Sequence, residues 1–363
     1  MGRPDCLHIA ATSLGRWQGD VVIRLGIVGC NYGRTILVPA FRADPRCEIV
    51  ALAGSDQKRT AELARQAGIP LAYGDWRMML ERAEIDAVAI ATPPQIQPGI
   101  ALAALDRDKA VFIEKPMAAD LAGAAAMMRA VGRRPNMIDF GFTEIAAWRK
   151  AKVMIDGGAI GRLRHVFASW NVENQSTRER LKNWKTNGAA GGGALGNLAS
   201  HSLHYFEWFC GPIAELSARL ASLPDDPEME VTVVFSLGFV SGATGSLALS
   251  SASYCGSGHR LEFYGEDGAL ILANPTPDYM RGFSLFHAHR PNDVLAPVFV
   301  DPDPRDDITR DGRIAPVSRL ASRFLDAVEQ QIPVSPGFAE GYRVQVLLDA
   351  ARRSHAQGMR LIV

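Results

Sequence analysis

Val21-Val22-Ile23-Arg24-Leu25-Gly26-Ile27-Val28-Gly29-Cys30-Asn31-Tyr32-Gly33 decides the fold: a largely apolar run closes on a glycine turn, and a helical pattern follows through Pro39-Ala40-Phe41. A short apolar run bounded by a turn signal reads as a strand buried on both faces. A glycine turn directly after it points backbone N–H groups, and the positive end of a helix dipole, at a pyrophosphate. The spacing departs from Gly-x-Gly-x-x-Gly, because Asn31 stands at the middle glycine and one residue is missing before Gly33. Asn is the non-glycine residue that best tolerates positive φ, so the turn is expected to survive. Taken alone, the motif also fits an ordinary tight strand-to-helix turn.

The same texture repeats downstream to about Asp139. Cys47–Ala53, Ala87–Ala91 and Ala110–Ile113 read as further strands, and Arg59–Gln66 and Gln97–Leu105 as helices stopped by Gly68 and Asp106. Short apolar runs alternating with helical patterns predict a doubly wound parallel sheet, a Rossmann domain over residues 21–141. The second strand ends Ala53-Gly54-Ser55-Asp56, close to where a ribose-binding carboxylate is expected about 20 residues beyond the glycines. Ser55 and Asp56 are therefore candidate ribose contacts. Asp56 suits a free 2′-hydroxyl or a helix N-cap, whereas the neighbouring Lys58 and Arg59 would suit a 2′-phosphate. NAD and NADP both stay open.

Residues 142–363 read differently. A helix at 145–156 and a strand at 163–172 precede a polar loop, a glycine run at 191–193 and a helix at 194–209. Strand patterns at 213–222, 230–237, 243–251 and 259–265, separated by Pro, Gly and Asp-rich turns, predict a large, mostly antiparallel open sheet in a C-terminal α+β domain. Residues 291–316 read as a surface excursion, and helices at 317–331 and 339–355 close the chain. Residues 1–20 lack the pattern and read as a loosely ordered extension.

Composition narrows the partners. The 363 residues carry 39 Lys plus Arg against 39 Asp plus Glu, a net charge of zero, so the footprint of a nucleic-acid or anionic-membrane binder is missing. No apolar stretch has secretory or membrane-spanning length. The 5 cysteines contain no Cys-x-x-Cys pair and read as reduced thiols of a cytoplasmic protein. A small-molecule substrate is the expected partner.

Ala91-Thr92-Pro93-Pro94, then Phe112-Ile113-Glu114-Lys115-Pro116, then Gly191-Gly192-Gly193 leading to His201 and Trp208-Phe209-Cys210-Gly211-Pro212, occur in this order. With them the chain resembles the Gfo/Idh/MocA oxidoreductases from about Arg24 to Ser354. The resemblance implies an NAD(P)-dependent dehydrogenase acting on CH–OH groups. It places the cofactor against Gly29, Cys30, Asn31, Tyr32 and Gly33, with Thr92, Pro93 and Glu114 at the nicotinamide half, and it implies a cis bond between Lys115 and Pro116. It makes Lys115 and His201 the catalytic pair. A lysine at the carboxyl end of a parallel strand projects into the ligand crevice, where its ammonium can stabilise alkoxide character and, with a lowered pKa, move a proton.

Asn197, His201, His204 and Trp208 are spaced to share one helix face. Family members commonly have Asp-x-x-x-His here, with the histidine as proton acceptor. His201 matches and is expected as the general base for alcohol oxidation or the general acid for carbonyl reduction, although Asn197 stands at the aspartate position and cannot raise the imidazole pKa as a carboxylate would. Asn197, His204, Trp184 and Glu144 are candidate substrate contacts. Trp184 sits in a basic loop with Arg178, Arg180, Lys182 and Lys185 that could grip a phosphorylated or nucleotide-linked sugar. No third ligand accompanies the histidine pair, so no metal site is expected.

The expected substrate is a sugar, cyclitol or related polyol, and a homodimer or homotetramer through the C-terminal sheet is expected. Two other readings fit the resemblance: a glycosidase that retains NAD, marked by turnover without net NADH, and a non-catalytic cofactor-binding sensor.

Overall fold

The computed structural model describes residues 22–363. The expected extension at 1–20 lies outside the described residues. The N-terminal half is a six-stranded sheet of β1 (Ile23–Val28), β2 (Cys47–Ala53), β3 (Leu71–Tyr73), β4 (Ala87–Ile90), β5 (Ala110–Ile113) and β6 (Asn136–Ile138). Their order is β3-β2-β1-β4-β5-β6 and every pairing is parallel. Helices α1 (Val38–Arg42), α2 (Gln57–Gln66), α3 (Trp76–Arg82), α4 (Gln97–Leu105) and α5 (Leu121–Val131) connect them. The strand order reverses between β1 and β4, which opens a crevice at their carboxyl ends. The central strands β4 and β5 are buried along their whole length, because helices cover both faces.

The C-terminal half begins with α6 (Ala146–Asp156), β7 (Leu163–Asn171), α7 (Gln175–Arg178) and α8 (Ser200–Cys210). Strands β8 (Ile213–Leu223), β9 (Asp226–Phe239), β10 (Thr244–Ser250), β11 (Gly258–Gly265), β12 (Gly268–Asn274), β13 (Ser284–His289) and β14 (Ala296–Val298) follow, then α9 (Ile314–Gln330), α10 (Phe338–Gln357) and β15 (Leu361–Ile362). The nine-stranded sheet runs β14-β13-β12-β11-β7-β10-β9-β8-β15. It is antiparallel except where β7 and β10 pair in parallel. Along β7, Val166, Ala168 and Trp170 face inward and alternate with half-buried neighbours, the period of a sheet covered on one face.

The chain then returns to its first half. Phe324 of α9 sits 6.2 Å from Phe41 and 5.8 Å from Phe112 in edge contacts, and Val317, Leu320, Ala321 and Leu325 join the same buried cluster. The segment expected as a surface excursion carries the short strand β14 and is tied down by ion pairs of Arg281 with Asp306 and Arg319 with Asp303. No helix among the described residues is long and apolar enough to cross a membrane.

Candidate active site

The turn after β1 depends on Gly29. Its φ is +119°, and a Cβ there would lie 2.2 Å from the carbonyl oxygen of Ala91 on β4's exit. Only glycine adopts that conformation cheaply, and no side chain fits beneath it. The expectation for Asn31 is corrected here: Asn31 is not among the residues with positive φ, because Gly29 alone makes the reversal and Tyr32 is already helical. From Gly33 to Leu37 the helix opens into a π turn, with the Val38 N–H bonded to the Gly33 carbonyl, before tightening into α1. π turns widen a helix and occur often at functional sites.

At the end of β2, the Asp56 carboxylate accepts the Arg59 N–H at 2.7 Å and caps α2. The Thr92 hydroxyl, on the rim opposite the glycine turn, is buried without a hydrogen-bond partner. A glycine-lined backbone turn at a helix start, a switch-point crevice and an unpartnered buried hydroxyl fit a dinucleotide.

Lys115 follows β5 directly. The Lys115-Pro116 bond is cis, as the resemblance implied. Gln97 Nε2 donates to the carbonyls of Glu114 at 3.0 Å and Pro116 at 2.6 Å, clamping the turn from α4. Lys115 Nζ crosses to the other half of the molecule and donates to the Asn197 carbonyl at 2.7 Å. Burial lowers the Lys115 pKa to about 8, against the opposing attraction of Glu114, while Lys185 and Arg313 lower it further.

Asp139 was given no role by the sequence. It follows β6, is 3% exposed, and accepts the Tyr32 hydroxyl at 3.0 Å. Burial first, and then the charge of Glu114, push Asp139 well above the usual carboxylate range. The available signal was an acid in an apolar stretch at the carboxyl edge of a parallel strand. Arg313, just before α9, lies over the Tyr32 ring at 5.4 Å and pairs with Asp311 at 2.6 Å. Tyr279, between β12 and β13, stands beside Phe142 and Trp170. Neither Arg313 nor Tyr279 was expected.

The glycine run lets the 178–187 loop pack closely, since a Cβ on Gly192 would lie 1.7 Å from the Trp184 carbonyl oxygen. A second π turn, Leu195–Ala199, leads into α8, with the Ser200 N–H bonded to the Leu195 carbonyl. His201 is buried against the edge of Phe142 at 4.9 Å, and its Nδ1 has no partner. Burial, then the charge of Lys115, hold its pKa well below 6.5. Beneath it, His259 stacks on Trp170 at 4.5 Å and shares a 3.1 Å hydrogen bond with the Tyr205 hydroxyl, which also donates to Ser202 at 2.9 Å.

The helix face expected to gather Asn197, His201, His204 and Trp208 divides. The wide turn presents the Asn197 backbone carbonyl to Lys115. His204 stacks on Phe140 at 4.0 Å and, with Trp208, Glu144, Arg149 and Arg323, lines a cavity of about 160 Å³ whose lining does not include His201. Glu144 is paired there with Arg323 at 2.6 Å. Trp184 lines another cavity, of about 240 Å³, with Gln95, Asn187 and Met229. In the basic loop, Arg180 is paired with Asp225 at 3.0 Å and Lys182 with Asp226 at 2.6 Å, so both charges are already answered within the chain.

The fold and this site define an NAD-binding oxidoreductase. Residues 23–142 match the model of the oxidoreductase family with an NAD-binding Rossmann fold, and residues 148–271 match that of the GFO/IDH/MocA C-terminal domain. The chain belongs to the Gfo/Idh/MocA oxidoreductases. An uncharacterised oxidoreductase of Synechocystis sp. is 28% identical over 353 residues, covering 92% of this chain and 94% of that protein. Levoglucosan dehydrogenase of Pseudarthrobacter phenanthrenivorans is 25% identical over 347 residues, 84% of this chain and 87% of that protein. A solved structure of levoglucosan dehydrogenase with NADH superposes with a TM-score of 0.83 at 23% identity, over 94% of this chain and 99% of that one, a likeness of fold.

Proposed function

We propose that this protein interconverts a secondary alcohol and the corresponding ketone of a sugar, cyclitol or related polyol. One observation carries the reading: the Lys115 ammonium, from the end of β5, reaches the Asn197 carbonyl at 2.7 Å in the half of the chain that also supplies His201. The dehydrogenase named for levoglucosan among the relatives supports a sugar-like substrate. NAD, when bound, supplies the hydride acceptor or donor.

The chain's own groups divide the remaining work. The turn Gly29–Gly33, with Ser55, Asp56, Thr92, Pro93 and Glu114, would hold the dinucleotide. Lys115, with a pKa lowered to about 8, takes the hydroxyl proton as a free amine or returns it as ammonium. His201 is neutral, since burial and the charge of Lys115 hold its pKa well below 6.5, and its imidazole would orient a substrate hydroxyl. Tyr279, partly exposed and backed by the buried rings of Phe142 and Trp170, would offer an apolar surface to the C–H face of a sugar ring.

A homodimer or homotetramer through the nine-stranded sheet is part of the proposal. The exposed side chain of Val234 on β9, 44% exposed, supports it, and light scattering after size exclusion tests it.

The deciding experiment is a cofactor-absorbance screen of sugars, anhydrosugars, inositols and nucleotide sugars with NAD and with NADP. Reduction of cofactor by a polyol supports the reading. Product release from a glycoside with no net NADH would replace it with the NAD-retaining hydrolase, and tight cofactor binding with no turnover would replace it with a sensor.

A further inference from the structure

The π turn Leu195–Ala199 carries the Asn197 carbonyl that meets Lys115, yet nothing local caps it, since the residue before it, Ala194, makes no side-chain hydrogen bond to its N–H groups. The first N–H groups of a helix have no partner within it and need one from elsewhere when buried. Here the partner comes from β9. Glu230, 8% exposed, accepts the Leu195 N–H on Oε1 at 2.8 Å. Gly193 makes room for the carboxylate: its φ is +68°, and a Cβ there would lie 2.5 Å from Glu230 Oε1. A buried carboxylate also needs a countercharge. Arg352 of α10 supplies it, with Nη1 3.2 Å from Glu230 Oε2, while its Nη2 donates to the Gly188 carbonyl at 2.8 Å. The pair grips both ends of the segment 188–195, and the Glu230 N–H adds a third tie, to the Thr186 carbonyl at 3.2 Å.

We propose that Glu230, held by Arg352, is a positioning residue: it fixes the π turn where the Asn197 carbonyl receives the Lys115 ammonium, and so sets how readily Lys115 gives up its proton. The inference rests on the dehydrogenase reading, in which that proton moves. Neither Glu230 nor Arg352 is among the residues that would hold the dinucleotide or the substrate. A carbonyl oxygen 2.7 Å from Nζ favours the charged lysine. Withdrawing it leaves burial less opposed, so the titration of Lys115 moves to lower pH. The other groups around Lys115 are Glu114 and Asp139 after β5 and β6, Lys185 in the 178–187 loop, Arg313 ahead of α9 and His201 on α8. Lys185 is the one that Glu230 could also move, through Thr186, and its effect has the opposite sign, because taking a like charge away moves the titration to higher pH. Direction therefore separates the two routes.

Glu230→Gln tests this, because an amide of the same size cannot accept from both the Leu195 N–H and Arg352 when one of its ends carries hydrogens. Arg352→Gln, at a partly exposed site, removes the countercharge and the Gly188 contact but keeps Glu230. The nitrogen-15 resonance of the Lys115 side chain, assigned by its loss in Lys115→Arg, follows the titration without turnover. E230Q should lower its midpoint by about half a pH unit or more and R352Q should move it in the same direction. The double variant should move it no further than the larger single shift, as residues acting as one unit do. The rise of kcat/KM for oxidation should move to lower pH with it, with kcat lower by about threefold or more and NADH affinity near wild type. A lower melting temperature with the midpoint unmoved assigns the pair a purely structural role and overturns the inference. A shift to higher pH overturns it as well, by assigning the effect to Lys185. Should E230Q fail to fold, R352Q decides by the same outcomes. If wild type turns over no polyol, the dehydrogenase reading fails, while the resonance still decides whether Glu230 and Arg352 govern Lys115.

Discussion

Lys115 and Asn197 lie 82 residues apart in sequence, yet the lysine Nζ is 2.7 Å from the asparagine carbonyl oxygen. The contact joins the crevice of the parallel sheet to the π turn ahead of α8, and it uses the backbone of Asn197. The replacement of the family's usual aspartate therefore does not remove this anchor, because the carbonyl is present whatever the side chain.

The pH dependence should follow Lys115. With a pKa lowered to about 8, the free amine needed for alcohol oxidation accumulates as pH rises through 8, so kcat/KM for oxidation should climb to a plateau above it. Ketone reduction needs the ammonium and should decline over the same range. Lys115→Arg, protonated throughout, should erase the oxidation limb, and Lys115→Ala should lower kcat by about 10²- to 10⁴-fold with cofactor fluorescence titrations near wild type.

His201→Asn should lower kcat by about tenfold or more and leave the limb near pH 8 in place, because the imidazole is already neutral across that range. Stopped-flow rates from pH 6 to 10 would show it. A limb that disappears with His201 would move the proton acceptor from Lys115 to the histidine.

Gly29→Ala should cost about 2 kcal/mol or more of stability, combining an unfavourable positive φ with a clash against the Ala91 carbonyl oxygen at 2.2 Å. Because the same turn would cradle the pyrophosphate, NADH affinity should fall with it. Urea unfolding and fluorescence titration of one preparation check both.

Phe324→Ala should destabilise the fold by about 3 to 5 kcal/mol, since it empties a fully buried site between Phe41 and Phe112. The signature to look for is weaker NADH binding from a substitution on a C-terminal helix, because α9 supports the Rossmann core.

Glu144→Gln should leave the KM for substrate near wild type while lowering stability by about 1 to 3 kcal/mol through loss of the Arg323 partner. A large rise in KM with unchanged melting would restore Glu144 as a substrate contact.

The sequence by itself determined the main strands of the first sheet and much of the local machinery. β1, β2, β4 and β5 are legible because each is an apolar run ended by a turn signal, and the strand-end position of Lys115 follows from β5 alone. The three-residue strands β3 and β6 were not legible, since so few residues carry no period. Tertiary structure alone decided which groups meet. It brought Tyr32 against Asp139, carried Lys115 to the Asn197 carbonyl, laid Arg313 over Tyr32, and sent His204 and Glu144 to a cavity apart from His201. Periodicity is a property of neighbours along the chain. The partner of a side chain at a strand end is set by how sheets and helices from distant segments pack, and the widened π turn before His201 changes the spacing of Asn197 from the histidines that helical periodicity predicted.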